Sequence, residues 1–247
     1  MLPAANAIRE LAGVTPADLD ATILASTEPL LLRGLVAHWP VVAAGRQSPQ
    51  AALDYLRRWC GDATVNAMLG PPDIKGRFFY NAALDGFNFQ SLRVRLDAVL
   101  DELAKHLATP APPAIYVGST TIDGALPGFS NENDVDLGPR DPLASIWIGN
   151  RTRIAAHYDL PDNLACIAAG RRRFTLFPPG QQHNLYIGPI DLTPAGQPIS
   201  LVDFAQPDPE RFPRFADALA QAQSAELGPG DALFIPSMWW HHVEALD

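Results

Sequence analysis

The stretch from Gly228 to Leu246 reads GPGDALFIPSMWWHHVEAL. Gly-Pro-Gly-Asp is turn chemistry: glycine supplies backbone angles that other residues avoid, and proline fixes its own φ. The run DALFIP that follows is short, apolar and closed by proline, as expected of a buried strand. In a strand through WWHHVE, Trp239, His241 and Val243 share one face, while Trp240, His242 and Glu244 share the other. One histidine then points into a barrel and one away, but alternation alone does not choose which. On the competing reading both imidazoles pack beside the tryptophans and bond to backbone carbonyls.

Upstream, the chain from Ala114 reads as further short strands: AIYVGST, ASIWIGN, TRIAAHYD, NLACIAA and RRFTLF, separated by Gly and Pro turns. That spacing predicts a mainly β sandwich or barrel. One interruption, FADALAQAQSAEL from Phe215 to Leu227, reads as a helix. Before the break TPAPP, at Thr109 to Pro113, the chain mixes helices and strands. Thr15-Pro16 and Ser48-Pro49 each place a capping residue before proline at the first helical position. The second pair opens AALDYLRRWC, which closes at Gly61. PLLLRGLV reads as a buried strand, and Leu96, Val99, Leu100, Leu103 and Leu107 recur on one helix face. No repeat divides the chain. Residues 1–247 are expected to form one unit, with 1–113 as a mixed flank and 114–247 as the β core.

With 247 residues, 47% of them hydrophobic and 18% charged, the chain can bury one sizeable core. No window approaches the roughly 20 apolar residues needed to cross a bilayer. The start, MLPAANAIRELAG, lacks a basic segment followed by an apolar one, so no signal peptide is expected. Cys60 and Cys166 lack metal-type spacing and suit a reducing compartment, which predicts a cytoplasmic protein. A formal charge of −9 argues against a nucleic-acid surface and favours a basic partner.

His157 stands in AAHYDLPDN, two residues before Asp159. On a strand, residues i and i+2 point to one face, so imidazole and carboxylate converge. Two histidines and one carboxylate on one face of an octahedral ion leave three positions open, the arrangement of non-heme Fe(II) oxygenases. His-x-Asp alone is also a common hydrogen-bonded pair; the metal reading needs a third ligand far along the chain.

Taken together, GPGDALFIPSMWWHHVEAL, the HYD element and GRRRFTLFPPG resemble the cupin-like branch of the jumonji-C 2-oxoglutarate oxygenases, its asparaginyl hydroxylases in particular. The resemblance runs from about Tyr116 to Leu246 with its elements in order. It implies a double-stranded β-helix (a cupin, or jelly-roll, barrel) and makes His241, the first of the HH pair, the third ligand beside His157 and Asp159. His242 is then expected to face away. The family's basic anchor for the distal carboxylate of 2-oxoglutarate falls on Arg172, where lysine is usual; arginine can grip a carboxylate with two parallel bonds. Arg171 and Arg173 would alternate to the other face. Tyr116 matches a tyrosine that bonds the same carboxylate, and Asn163 an asparagine near the keto-acid end. If Arg172 were not the anchor, Arg153 would be next, since strict alternation puts it on the His157 face.

Three departures limit what the resemblance implies. A cosubstrate-holding threonine, three residues before the HxD histidine, is Ile154 here, with Thr120 or Thr152 as replacements. A substrate-reading glutamine before the SxVDF segment is Ile199. The family barrel closes with a further strand beyond the last ligand, so residues 114–247 are expected to lack it; some members add dimerisation helices, which admits a homodimer. The implied function is an Fe(II)- and 2-oxoglutarate-dependent oxygenase that uses O₂ to hydroxylate a protein or peptide side chain or a small molecule. Demethylation of methyl-lysine ranks lower, since no reader module or aromatic-rich insertion is evident. The alternative is a cupin-fold metal-binding or sensing protein without turnover, which would be marked by a lost ligand or carboxylate anchor.

Overall fold

The computed structural model describes residues 6–19 and 21–247. In chain order the strands are β1 (Asn6–Ala7), β2 (Arg9–Ala12), β3 (Leu30–Arg33), β4 (Thr64–Gly70), β5 (Arg77–Phe78), β6 (Gln90–Arg95) and β7 (Ala114–Thr121). They continue as β8 (Ser145–Gly149), β9 (Arg153–His157), β10 (Asn163–Cys166), β11 (Arg172–Phe177), β12 (Gln223–Leu227), β13 (Ala232–Ile235) and β14 (Trp240–Ala245). The helices are α1 (Ala21–Leu24), α2 (Pro40–Gln47), α3 (Pro49–Arg57), α4 (Leu96–Lys105), α5 (Ile122–Ala125) and α6 (Phe215–Ala220).

The strands form three sheets. One runs β1-β12-β11-β14-β9-β5, a second β10-β13-β3-β2 and a third β6-β4-β7-β8. The first two share an apolar core: Phe174, Leu176, Leu227 and Val243 from one sheet pack with Leu31, Leu233 and Ile235 from the other. Period-2 alternation places Phe174 and Leu176 inside with Arg172, and turns Arg173, Thr175 and Phe177 outward. The outer face of the first sheet is covered by Phe204, Phe212 and Phe215, which pack with Phe177 and Trp240. The opposite face of the second sheet, through Leu30, Leu32 and Phe234, packs on α3, α4 and the third sheet through Leu53, Leu56, Leu100, Ile115 and Val117. The mainly β, jelly-roll expectation is met, and the flank is woven into it: β3 pairs with β13 and β5 with β9. Strands β8 and β10 each stand at the edge of their sheet.

Several local readings are corrected. The segment 215–227 is not one helix: α6 stops at Ala220, and Gln223–Leu227 is β12, paired with β11 on one side and β1 on the other. Its Ala, Gln, Glu and Leu favour a helix, but two neighbouring strands supply hydrogen bonds and Leu227 gains the core, so tertiary context overrides propensity. Thr15 holds only one tight turn, with Asp18 accepting from both its backbone N–H and its hydroxyl. Ser48 does cap α3, its Oγ accepting from Ala51 N at 3.0 Å, but that helix ends at Arg57 and Gly61 lies in a later turn. On α4 the buried stripe is Leu96, Val99, Leu100 and Leu103. Leu107 lies beyond the helix and is 46% exposed.

Candidate metal and cosubstrate site

His157 ends β9, and Asp159 follows two residues later in a loop rather than on the strand. The loop is nevertheless tied down. Asp159 O accepts from Met238 N at 3.0 Å, Ser237 N donates to Asp162 Oδ1 at 2.7 Å, and Ser237 Oγ donates to Leu160 O at 2.6 Å. The PSM turn before β14 thus locks the HxD loop beside the strand that carries His241. Met238 reaches this position with φ of 66°, a left-handed conformation uncommon for a residue with a side chain.

The two histidines meet across the β9–β14 ladder, where His241 is paired with His157. Their ring centroids are 4.2 Å apart. His157 Nδ1 donates to Ala155 O at 2.9 Å and His241 Nδ1 to Trp239 O at 3.0 Å. A carbonyl oxygen only accepts, so both rings carry hydrogen on Nδ1, and in a neutral ring so bonded the lone pair is on Nε2. Burial holds the His241 imidazole in its neutral form, aided by the neighbouring His157 and opposed by the Trp239 carbonyl and Asp159. Neutral imidazole is the metal-binding state.

Asp159 supplies the charge. Its Oδ2 lies 3.5 Å from His241 Nε2 and accepts from Asn163 Nδ2 at 2.8 Å, while Oδ1 accepts from Gln197 Nε2 at 3.3 Å. One ligand atom from each of His157, Asp159 and His241 falls within 4.8 Å of the others. This donor set, two imidazoles anchored through Nδ1 and an oriented carboxylate, fits a divalent transition ion. His242 turns to the other face, stacked on Phe204 at 4.5 Å between centroids. It is buried there rather than solvent-facing, and burial depresses its pKa to about 3.

Arg172 faces the interior with its guanidinium largely desolvated, which works against its charge, while Asp247 and Tyr116 oppose that effect. Its Nη1 donates to Arg171 O at 3.1 Å. Tyr116 projects from β7 with its ring centroid 5.7 Å from that of Phe78. Burial raises the pKa of the Tyr116 hydroxyl; Arg172 acts to lower it and Asp159 to raise it, so both charges lie near it. The structure therefore brings Tyr116, Asp159 and Arg172 into one region. Arg173, as expected, faces out, paired with Glu226 and Glu244 at 2.6 and 3.3 Å.

Two β-bulges decide where Arg153, placed inward by alternation, and Thr120, a candidate cosubstrate contact, stand. On β9 the pairing shifts by one between His241–His157 and Val243–Ile154, so Ala155 and Ala156 together oppose His242. Arg153 consequently faces outward, bonded to Asp203 at 3.1 Å and to Lys75 O at 3.1 Å, and the interior position falls to Ile154 beside Val243. On β7 a shift between Val117 and Thr120 pairs Thr120 with Ile146, on the face of Val117 and Ile148 and not of Tyr116. Its hydroxyl donates to Gly118 O at 3.1 Å. Thr152 is buried, and its carbonyl accepts from Ala245 N at 2.8 Å. Ile199 packs with Phe79, Tyr80 and Ala155. Gln197, two residues earlier, is the site residue that sequence reasoning missed; it lies in a loop without period, 38 residues from the carboxylate it touches.

A family profile described as "Cupin-like domain" matches residues 16–247. Among curated proteins, the chain is 26% identical over 264 residues to "Lysine-specific demethylase JMJ31" of Arabidopsis thaliana, covering 94% of this chain and 46% of that protein. It is 26% identical over 227 residues to "Lysine-specific demethylase 8" of Xenopus tropicalis, covering 91% and 47%. It is 24% identical over 258 residues to the human "Bifunctional peptidase and (3S)-lysyl hydroxylase JMJD7", covering 93% and 77%. The chain thus spans about half the length of these two relatives.

Proposed function

The chain belongs to the cupin-like domain family, and on that premise we propose that it is an Fe(II)- and 2-oxoglutarate-dependent oxygenase of the jumonji-C type. The observation that carries the reading is the meeting of His157, Asp159 and His241, with three ligand atoms within 4.8 Å of one another. Arg172 lies on the inner face of the same sheet. The relatives described as lysine demethylases and as a lysyl hydroxylase support this class.

In this reading His157, Asp159 and His241 hold the iron. When bound, the iron supplies activation of O₂ coupled to decarboxylation of 2-oxoglutarate to succinate. The protein's own part is positional. Ala155 O and Trp239 O fix the two imidazole tautomers, while Asn163 and Gln197 aim the Asp159 carboxylate. Arg172 takes the C5 carboxylate of 2-oxoglutarate through a planar, charge-assisted contact, with the Tyr116 hydroxyl as second donor. The buried residues Phe174 and Leu176, inward-facing on the same strand as Arg172, keep water from the interior. The reaction we assign is hydroxylation of a protein or peptide side chain or of a small molecule, and the charge of −9 favours a basic partner. Free thiols at Cys60 and Cys166 fit a cytoplasmic setting. No helix of the described residues is long and apolar enough to cross a membrane.

The test is succinate formation from 2-oxoglutarate with Fe(II) and O₂, paired with calorimetric titration of a redox-inert divalent ion. Stoichiometric ion binding and metal-dependent succinate support the oxygenase. Ion binding without succinate across a panel of basic peptides favours the sensing alternative. Absence of ion binding overturns the oxygenase and leaves only a metal-free form of the sensing alternative.

A further inference from the structure

On the outer face of the six-stranded sheet, away from the metal candidates, a cleft of about 210 Å³ opens between the end of β5 and the loop after Ser200. Arg77, Phe79, Tyr80, Leu84, Leu201 and Arg211 are among its lining residues. The Arg77 guanidinium lies 3.7 Å above the Phe79 ring centroid, and its Nη2 donates to Leu201 O at 3.2 Å. The carboxylate it pairs with, Asp203, is 3.6 Å away. The other Asp203 oxygen is already engaged, by Arg153 at 3.1 Å and by Ala205 N at 3.0 Å. Arg211 stacks on Phe212 at 5.0 Å and forms no side-chain ion pair among the described residues. Arg77 and Arg153 therefore share one carboxylate, and Arg211 lies near enough to Arg77 to add a third positive charge. Burial is the largest effect opposing the charge on Arg77, Arg153 and Arg211 add to it, and Asp203 alone offsets them.

The remaining walls are mostly apolar; the exception is Asn81, whose amide donates to Asp85 Oδ1 at 2.8 Å. Tyr80 presents its ring, since its hydroxyl donates to Pro189 O at 3.0 Å. Leu84 is held at φ of 59° by the turn that begins at Asn81, and such backbone conformations concentrate at ligand sites. Asp191 acts on Tyr80, so an anion would sit toward the arginine end. The cleft is smaller than the roughly 300–1,000 Å³ typical of drug-sized ligands.

We propose that this cleft is a binding site for a carboxylate carried on a compact apolar group. Guanidinium forks match the planar geometry of a carboxylate, and Arg77 has donors to spare, because only one of its five N–H groups makes a bond of ordinary length. The apolar body would lie against Phe79, Tyr80, Leu84 and Leu201. Because Arg77 and Arg153 face outward, this site is separate from the pocket of Arg172 and does not depend on the oxygenase reading.

Benzoate is the probe, titrated calorimetrically into the full chain, with benzamide and inorganic phosphate as comparison ligands. Titrations are repeated in Arg172→Ala, so that the interior arginine contributes nothing. The expected result is saturable one-to-one benzoate binding in both proteins. Benzamide, which keeps the shape and lacks the charge, should bind about tenfold or more weaker, and Arg211→Gln should lose a similar factor for benzoate. Arg211 is exposed and pairs with no described carboxylate, so that variant is expected to fold normally, which circular dichroism checks. Four results overturn the proposal: no saturable benzoate binding, binding that disappears in Arg172→Ala, equal binding in Arg211→Gln, or tighter binding of phosphate than of benzoate.

Discussion

His157 and His241 are paired directly across β9 and β14, and the ladder slips by one residue immediately beside them. The slip places Ala155 and Ala156 opposite His242, so His157 returns to the interior while Arg153 is turned out. Without the extra residue, strict alternation would put Arg153 and His157 on the same face. The bulge therefore aims a ligand and keeps an arginine out of the site.

The small size of Ala156 is part of this device. It is fully buried among Phe177, Trp240 and their neighbours. Ala156→Leu should overpack that cluster at a cost of about 1–3 kcal/mol. Because the strand can relieve the crowding by moving His157, divalent-ion affinity should fall as well. Chemical denaturation and ion titration on the same sample check both; lost stability with unchanged ion affinity would separate the bulge from the site.

Metal binding should also appear as stability. A ligand that binds only the folded state, present at 100 times its dissociation constant, adds about 2.7 kcal/mol. Melting curves with and without a redox-inert divalent ion should show this gain in the wild type. Asp159→Ala should remove it while remaining folded, because Asp159 is partly exposed and lies outside the strands. A gain that persists in Asp159→Ala would place the ion elsewhere.

Asn163 opens β10 and reaches back to Asp159 Oδ2 at 2.8 Å, and removing such a support typically weakens metal affinity by about 10–100-fold. Asn163→Ala should fall in that range, whereas Gln197→Ala, whose contact is longer at 3.3 Å, should lose less. Competition with a chelator ranks the two. A reversed order would mean that the Gln197 contact is the one that sets the carboxylate.

Much of the β core was legible because its strands carry their own pattern. RRFTLF alternates as it stands in β11, with Arg172, Phe174 and Leu176 inward. What alternation cannot carry is an inserted residue: the bulges at Ala155–Ala156 and after Val117 leave no local mark, and they turn Arg153 off its expected face and put Thr120 on the face of Val117. Gln223–Leu227 misled in the other direction, since its helix-forming composition is overridden by strands on both sides. Strand β6 went unread because it is almost entirely exposed and so has no apolar period to detect. The metal candidates were legible for different reasons: His157 and Asp159 through their i, i+2 spacing, and His241 only through the family resemblance, because alternation left it and His242 open.

Arg172 gives the sharpest test of the cosubstrate pocket. It faces inward on β11, half-buried, and burial opposes its charge while Asp247 and Tyr116 offset that effect. A guanidinium in that position is costly without an anion, so binding of 2-oxoglutarate should draw on an interaction already in place. Arg172→Ala should remove a charge-assisted contact of roughly 1.5–3 kcal/mol, which corresponds to about 10- to 150-fold weaker 2-oxoglutarate binding. Arg172→Lys should lose less but not be silent, because an ammonium is a point donor that must reach the carboxylate along a different path. Tyr116→Phe should cost less than Arg172→Ala, and the double variant should show coupling, since both donors would meet one carboxylate. Calorimetry with 2-oxoglutarate and a redox-inert divalent ion measures all four proteins without turnover. If Arg172→Ala binds as tightly as the wild type, the carboxylate is held elsewhere. Arg153 is then no substitute, since the β9 bulge has turned it toward Asp203 on the outer face.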